Sequence, residues 1–383
     1  MIGRLIAAGA AVGLVVGLSG CASTSGASAA TRITVASEHC GDGWTDPRPG
    51  QQTFLLANSD IVTGEVFLVD GQSGAVYAYV DNVAPGATAL LRVDLGSGHY
   101  SFRCAMSDEG VARGAQVTIP GNARGGSRPV QAVTDETLVP IAKKYDSWVA
   151  SQLPGLVRLV TALDADLRSG DLNRARADWL PAHLDYERLG AAYGAFGETD
   201  TAINGLTTGL AGGVADPRFT GFHRIEYGLW HGHSAAALAP IGAGLLRDVR
   251  TLQSTIASSS VATLDLAIRS HEIAENALQF DLTGETDFGS GSSLASVSAE
   301  LEGTTELLDL MTPVLASRYP DLGTAESALS RARRDVSAEF VAGAWTSLES
   351  LGRTSRERID ADLSGLSALL APIASIAEPR IDS

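Results

Sequence analysis

The sequence has few basic residues relative to acidic ones. Its 28 Lys and Arg are outnumbered by 44 Asp and Glu, which gives a formal net charge of −16 and a pI of about 4.8. Because nucleic-acid binding needs clustered Lys and Arg, this balance argues against a nucleic-acid partner. A charged fraction of 19% beside a hydrophobic fraction of 45% also excludes a disordered chain. The acidic surface instead suits cations.

Familiar catalytic motifs are missing as well. The chain has no G-x-S-x-G elbow, no H-E-x-x-H, no Walker-type glycine loop and no C-x-x-C. The glycine-rich run FGSGSSLA at 288–295 could offer backbone N–H groups to an anion, but it lacks the lysine of a P-loop. We interpret it as a loop that leads into a helix.

The one long apolar run is at the N-terminus. It extends from Leu5 to Leu18, too short for a permanent membrane helix, and no later stretch approaches the ~20 apolar residues of a membrane span. It ends in LSGC, which resembles a bacterial lipobox. This predicts a lipoprotein signal peptide at 1–20 and an acylated Cys21 that anchors the protein outside the cytoplasmic membrane; an ordinary cleaved signal is the alternative. Ser and Ala predict a flexible tether at 21–31.

Short strands are predicted between residues 32 and 120. The runs are rich in Val, Thr, Phe and Tyr, and Gly, Pro, Asn or Asp separate most of them, as in a small β-sandwich. The predicted strands are 33–35, 53–58, 65–70, 75–83, 88–95, 99–104 and 115–119.

The pattern changes after a Gly- and Pro-containing linker at 121–134. From 135 to 380 apolar residues recur at intervals of three and four, as in Leu138, Ile141 and Tyr145, which predicts an all-α helical bundle, with two antiparallel halves as one arrangement. After a first helix from Asp135, the predicted helical stretches are 171–196, 219–231, 240–257, 261–281, 293–317, 324–341 and 345–371.

Three of these helices each carry a histidine and a carboxylate on one face. The pairs are His223 with Glu226 in GFHRIEYGLWHGH, His183 with Glu187 in HLDYE, and His271 with Glu275 in SHEIAEN. Residues three or four apart share a helix face, and imidazole with carboxylate suits iron, zinc or manganese. The alternative is a set of surface ion pairs, because the sequence cannot show that the faces converge. His231 and His233 are expected at a helix end, in structural roles.

The cysteines of the β domain allow two interpretations. Cys40 and Cys104 could form a disulfide, since such bonds persist outside the cytoplasm. Alternatively, Cys104, Met106 and Glu65 could bind Cu(I) or another ion. The sequence leaves both open.

The same segments carry a resemblance to a known family. The runs DWLPAHLDYERLGAAYGAF, DPRFTGFHRIEYGLW and SHEIAENALQFDLTGETDFG resemble the imelysin-type helical domain. The β segment, with EHC, NVAPG and YSFRCAM, is similar to the cupredoxin-like domain joined to it in EfeO-type proteins. The resemblance implies an extracytoplasmic component that binds iron and passes it to a membrane permease, alongside a haem peroxidase-like partner.

The resemblance also implies a set of ligands. It places Fe²⁺ or Fe³⁺ at His223, Glu226, Glu187 and Glu275 in the bundle. In the β domain it matches Cys40 and Cys104 to the family cysteines and Glu65 to an acid beside them, a site for copper or iron.

Two positions depart from the family pattern. Gly190 and Asn204 stand where some members have acids, and His271 could compensate for the missing carboxylates.

Two other functions stay open at this point. The imelysin family was first grouped with peptidases, so a secreted metallopeptidase is one; His223 and Glu226 would then have to hold the metal and activate water. A surface protein that binds polysaccharide or a partner without metal is the other.

Overall fold

The computed structural model describes residues 30–107, 110–256 and 260–380. The predicted signal peptide, Cys21 and most of the tether lie outside the described residues. Strands occupy the region from 31 to 119 and helices the region from 135 to 376, which confirms a β domain followed by an all-α domain. Residues 30–73 and 77–128 form one compact unit, and residues 74–76 and 129–380 form the other.

The described part of the β unit contains eight strands. They are β1 Thr31–Val35, β2 Gly50–Asn58, β3 Gly64–Asp70, β4 Val76–Val83, β5 Thr88–Leu95, β6 Gly98–Met106, β7 Gly110–Arg113 and β8 Val117–Ile119. One sheet has the order β1-β2-β5, and the other has the order β4-β3-β6-β7, with β8 also paired to β6. Of these, β7 was not predicted from the sequence.

Side chains from both sheets share one core. Phe54 and Leu56 of β2 are fully buried, and they cluster with Leu68 of β3 and Phe102 of β6. Their spacing follows the strand period of two, which sends alternate residues to one face. The unit is therefore a β-sandwich, while its membership of the cupredoxins stays a prediction.

The two cysteines of this unit form a disulfide. Cys40, in the turn after β1, is joined to Cys104 of β6 at a sequence separation of 64. Cys104 pairs with Val66 and faces the core, whereas Glu65 faces the other side of the sheet because neighbours alternate. The structure therefore contradicts the alternative site of Cys104, Met106 and Glu65: the sulfur is bonded and the carboxylate is on the wrong face.

The helical unit contains eleven α-helices among its described residues. They are α1 Asp135–Ser169, α2 Leu172–Glu187, α3 Tyr193–Phe196, α4 Glu198–Asn204, α5 Gly221–Trp230, α6 Ala235–Thr255, α7 Thr263–Asn276, α8 Ser293–Leu315, α9 Leu322–Ser337, α10 Arg353–Leu370 and α11 Pro372–Ile376. A 3₁₀ turn at Gly190–Ala192 follows α2, and a π turn at Ala277–Asp281 extends α7.

The bundle is packed around a Leu-, Val- and Ala-rich core. The 35-residue α1 contacts α2 and α6, while α8 lies against α2, α7 and α9. Trp179 and Tyr186 of α2 are fully buried. The one sulfur-containing residue from 135 to 380 is Met311 of α8, and it too is fully buried.

One segment of the bundle has the length and apolar composition of a membrane span. It runs from Arg353 to Ile376. Its Ile359, Leu363, Leu366 and Leu370 lie in the bundle core, and helices buried in a protein core have the same composition.

The largest departure from the predicted helices lies between α9 and α10. The stretches 324–341 and 345–371 were predicted as helix, but Phe340–Val341 and Ala344–Trp345 form a two-stranded hairpin, β9 and β10. Ala342 and Gly343 between them both have positive φ, 53° and 86°. Two such residues make the two-residue turn that hairpins favour, so the local turn geometry overrides the apolar period.

Candidate metal centre

Two helices each present a buried histidine and glutamate. His183 and Glu187 are one turn apart at the C-terminal end of α2, and His223 and Glu226 are three residues apart in α5. None of the four is more than 6% exposed. Buried ionisable groups are costly unless they are paired or bind a metal, so this placement points to a site.

The structure brings the two pairs together. Nε2 of His183 lies 2.7 Å from Oε1 of Glu187, and the ring centroids of His183 and His223 are 5.1 Å apart. One ligand atom each from His183, Glu187 and His223 lies within 4.8 Å of the other two. Ligand atoms that each lie ~2.1 Å from one ion are roughly 3–4 Å apart, so a small adjustment lets these three share a cation.

Glu226 completes the group on the α5 side. Its Oε2 lies 3.5 Å from Nδ1 of His223, which is too long for a good hydrogen bond. Its Oε1 accepts hydrogen bonds from Phe288 and Ser290, which follow the π turn. One oxygen of Glu226 is therefore held by the protein while the other faces the cluster.

Neighbouring polar groups hold Glu187 in place. Asn204, the last residue of α4, donates from Nδ2 to Oε1 of Glu187 at 2.8 Å, and its Oδ1 lies 3.1 Å from Nε2 of His183. The Tyr193 hydroxyl donates to Oε2 of Glu187 at 3.1 Å. Outer partners of this kind fix the orientation of metal ligands.

An aromatic contact ties α2 to α5 beside the cluster. The indole N–H of Trp179 donates to the carbonyl oxygen of Phe222 at 3.0 Å. The Trp179 ring also stacks on the His183 ring with centroids 4.8 Å apart. Trp179 is fully buried, so it sets both the spacing of the helices and the plane of the imidazole.

The charges of the cluster are coupled. Burial acts to lower the pKa of His183, but the Glu187 carboxylate outweighs burial and raises that pKa above its ordinary value. Burial acts to raise the pKa of Glu187, yet His183 holds it well below its usual range. For Glu226, too, burial acts to raise the pKa, and His223 and Ser290 hold it below the usual range. The cluster therefore favours ionised carboxylates at Glu187 and Glu226 and holds a proton on His183 to a higher pH than a free imidazole does.

Two more buried acids lie within the electrostatic reach of Glu187. Burial, with Glu187 nearby, raises the pKa of Asp281 to about 7. Burial, with Asp281 and Glu187, raises the pKa of Glu300 well above its ordinary range. Both carboxyls therefore keep their protons to a higher pH than exposed acids do, which limits the negative charge around the cluster.

Three polar atoms of the cluster have no hydrogen-bond partner among the residues that the structure describes. They are Nδ1 of His183, Nδ1 of His223 and Oε2 of Glu226. Buried polar atoms are nearly always paired, and an unpaired one calls for an explanation such as an ion. Imidazole nitrogens and a carboxylate oxygen are the donor atoms that zinc, iron and manganese accept.

The structure does not bring Glu275 into this cluster. Glu275 is exposed, and Ser367 of α10 donates to its Oε1 at 3.5 Å. Residues two apart lie about 200° apart around a helix. Ile273 and Ala277, each two residues from Glu275, are buried, so Glu275 lies on the opposite face of α7. The structure therefore leaves Glu275 outside this cluster, and its predicted role as a ligand has no support from the geometry. His271 is half-buried on the same helix. Within the residues that the structure describes, it does not lie in a cluster of potential metal ligands.

The remaining histidines of the opening motif lie at the end of α5, as expected. His231 is the C-cap residue, and its Nδ1 lies 2.9 Å from the carbonyl oxygen of Tyr227. The Tyr227 ring stacks on His231 and meets His233 edge-on. These imidazoles finish a helix and lie outside the cluster.

The ligand set inferred from the sequence missed one member of the cluster, His183, and one of its hydrogen-bond partners, Asn204. His183 was recognised as half of the HLDYE pair, but the ligand set implied by family resemblance left it out. Asn204 was noted for the acid that it replaces, whereas in the structure it bridges His183 and Glu187. The i,i+4 spacing of HLDYE was the signal for His183; nothing in the sequence places Asn204 beside it.

Comparison with known proteins agrees with this architecture. The imelysin (peptidase M75) family profile matches residues 141–340, more than half of the 383-residue chain. The chain is 24% identical over 291 residues to "Iron uptake system component EfeO" of Escherichia coli strain K12, which covers 76% of each chain. Proteins of the same name from Shigella flexneri and from Escherichia coli O1:K1 match to the same extent. The chain therefore belongs to the imelysin (peptidase M75) family.

Proposed function

We propose that this protein is the iron-binding component of an uptake system and that iron is the cargo of the cluster of His183, Glu187, His223 and Glu226. The observation that carries the proposal is the convergence of these four buried side chains, in which Nδ1 of His183 has no hydrogen-bond partner and Nδ1 of His223 and Oε2 of Glu226 meet only each other, at 3.5 Å. A purely structural polar network would be expected to satisfy its own members.

The charge of the cluster supports a cation as cargo. The pKa values of Glu187 and Glu226 are held below their usual range and that of His183 is raised, so the site favours a proton or another cation between its carboxylates. A metal ion can displace that proton, because a ligating imidazole must be neutral. The exchange replaces one buried positive charge by a larger one between two carboxylates.

The donor set narrows the choice of cation. Two imidazoles and two carboxylates suit Fe²⁺, Mn²⁺ and Zn²⁺ better than Ca²⁺ or Mg²⁺, which prefer all-oxygen sites. Among transition metals, availability as well as affinity decides which is bound. The relatives named as iron uptake components favour iron.

Delivery requires a location and partners. We propose that acylated Cys21 tethers the protein on the outer side of the cytoplasmic membrane, and that the protein passes iron to a membrane permease alongside a haem peroxidase-like component. The lipobox-like LSGC and the excess of acidic residues support this location. Loss of membrane association in a Cys21→Ser variant, measured by cell fractionation, tests the anchor.

Anaerobic calorimetry of the purified protein with Fe²⁺ tests the cargo, with Zn²⁺ and Mn²⁺ as competitors. The double variant His223→Ala, Glu226→Ala removes two ligands and should abolish measurable binding. Glu275→Ala is the matched control, since that carboxylate lies outside the cluster, and it should bind as the wild type does. Unchanged Fe²⁺ affinity in the double variant would overturn the assignment.

A further inference from the structure

One short segment closes the cluster on the α5 side. It consists of residues 287–292, between the π turn and α8, and we name it the latch. The backbone N–H groups of Phe288 and Ser290 each donate to Oε1 of Glu226 at 3.0 Å, and the Ser290 hydroxyl donates to the same oxygen at 2.6 Å. The glycine-rich run thus does receive an anion on its N–H groups, and that anion is Glu226 itself.

The latch also covers the histidine of the motif. The ring centroid of Phe288 lies 5.3 Å from that of His223. One six-residue segment therefore contacts both His223 and Glu226. Displacing it would uncover one ligand and release the other.

The latch is held by polar contacts of its own and by packing of Phe288 against Phe219. Oδ1 of Asp287 accepts from the N–H groups of Gly289 and Gly291 at 2.8 and 3.1 Å. Gly289 has φ of 124°, and a Cβ there would come within 2.9 Å of Cβ of Trp230, so only glycine allows this close approach. Polar contacts on exposed or half-buried residues open at a lower free energy than core packing does.

Residues of the latch also line a surface cavity. It has a volume of about 670 Å³, and its lining includes Asp287, Ser290 and Gly291 of the latch together with Ser347 and Arg356. Ser290 therefore belongs both to the wall of an accessible cavity and to the hydrogen bonds on a buried ligand. The latch therefore contacts both the cavity and the cluster.

We propose that the latch is the gate through which the cation enters and leaves, and that Ser290 is the positioning residue that holds it shut. This inference rests on the proposed function, a cation bound by Glu226 and its neighbours. With Oε1 held by three donors, Glu226 offers the cation Oε2 alone. Opening breaks those three bonds, withdraws Phe288 from His223 and exposes the ligands to the cavity.

Dissociation kinetics test this proposal in the full-length purified protein. Fe²⁺ is loaded anaerobically, an excess of a chromogenic Fe²⁺ chelator is added by stopped flow, and the affinity is measured separately by calorimetry. Ser290→Ala removes the hydroxyl donor and keeps the backbone donors, so Fe²⁺ should leave roughly tenfold faster. Ser290→Thr retains a hydroxyl and should restore most of the slow rate.

The matched control is Ser347→Ala, in the same cavity but hydrogen-bonded to Ser350, which should release Fe²⁺ at the wild-type rate. Circular dichroism of every variant checks that it is folded, and Ser290→Gly, which also lacks the hydroxyl, supplies the test if Ser290→Ala is not. If the wild type binds Fe²⁺ and Ser290→Ala releases it at the wild-type rate, the latch is not the gate, while the proposed function stands. No Fe²⁺ binding by the wild type would overturn both.

Discussion

Two substitutions of Glu226 distinguish its role in holding the latch from its role in binding the metal. Its Oε1 accepts from two backbone N–H groups and one hydroxyl of the latch, while its Oε2 faces His223. Glu226→Gln keeps an oxygen acceptor for the latch and removes the charge. Glu226→Ala removes both.

The two variants should differ in their free energy of unfolding, but both should lose affinity for Fe²⁺. In Glu226→Ala the half-buried N–H groups of Phe288 and Ser290 lose their acceptor, and the loss of each hydrogen bond to a charged group costs about 1–3 kcal/mol. The free energy of unfolding of the metal-free protein should therefore fall by about 2–6 kcal/mol. Glu226→Gln retains those acceptor contacts and should lose no more than ~2 kcal/mol, which reflects the weaker hydrogen bonds to a neutral group. Both should lose Fe²⁺ affinity by at least about tenfold, because the ionised oxygen that faces the cluster is gone.

Urea unfolding in the presence of a chelator measures the stability of each variant, and anaerobic calorimetry measures its affinity for Fe²⁺. Equal destabilisation by Gln and Ala would refute the account of Oε1 as the acceptor that holds the latch. Wild-type Fe²⁺ affinity in Glu226→Gln would refute the role of Oε2 as a ligand. The two measurements are independent, so the roles of Oε1 and Oε2 are tested separately.

Three further predictions follow from the same contacts. Because the pKa of His183 is raised, protons compete with the cation below that pKa: Fe²⁺ affinity should rise with pH through it and then level off, and titrations in buffers of different ionisation enthalpy should detect proton release. A flat affinity between pH 5 and pH 8 would contradict this. Asn204→Asp places a second carboxylate against Oε1 of Glu187, so chelator-treated protein should lose about 1–3 kcal/mol of stability while Fe²⁺ binds more tightly; a change of the same sign in both measurements would disagree with a like-charge contact. The double variant Cys40→Ser, Cys104→Ser opens a loop at a sequence separation of 64 and should cost the β unit ~4 kcal/mol in urea unfolding, and the unfolded, unreduced wild type should yield no thiol from either residue; two reactive thiols there would argue against the bond.

Most of the fold was predictable because the apolar residues recur at the spacing of strands or of helices. Strand runs such as 53–58 and 88–95 and helical runs such as 293–317 appear in the structure within a few residues of their predicted bounds. The errors lie where backbone conformation decides. Positive φ at Ala342 and Gly343 turns a predicted helix into a hairpin, and no hydrophobic period records that.

The site was only partly predictable, for a different reason. Helical spacing correctly placed His223 beside Glu226 and His183 beside Glu187, since those pairs are local. Which faces meet depends on packing between helices: the contact of Trp179 with Phe222 draws α2 to α5, while α7 buries Ile273 and turns Glu275 outward. Spacing within one helix carries no record of such long-range contacts.

The bundle contains very few of the sulfur atoms that oxidants attack. Iron that cycles between oxidation states in air generates oxidants, which attack exposed thiols and thioethers first. From residue 135 to residue 380 the chain has no cysteine and a single methionine, Met311, with no exposed surface. The domain proposed to carry iron therefore exposes no cysteine or methionine sulfur to oxidants that its cargo generates.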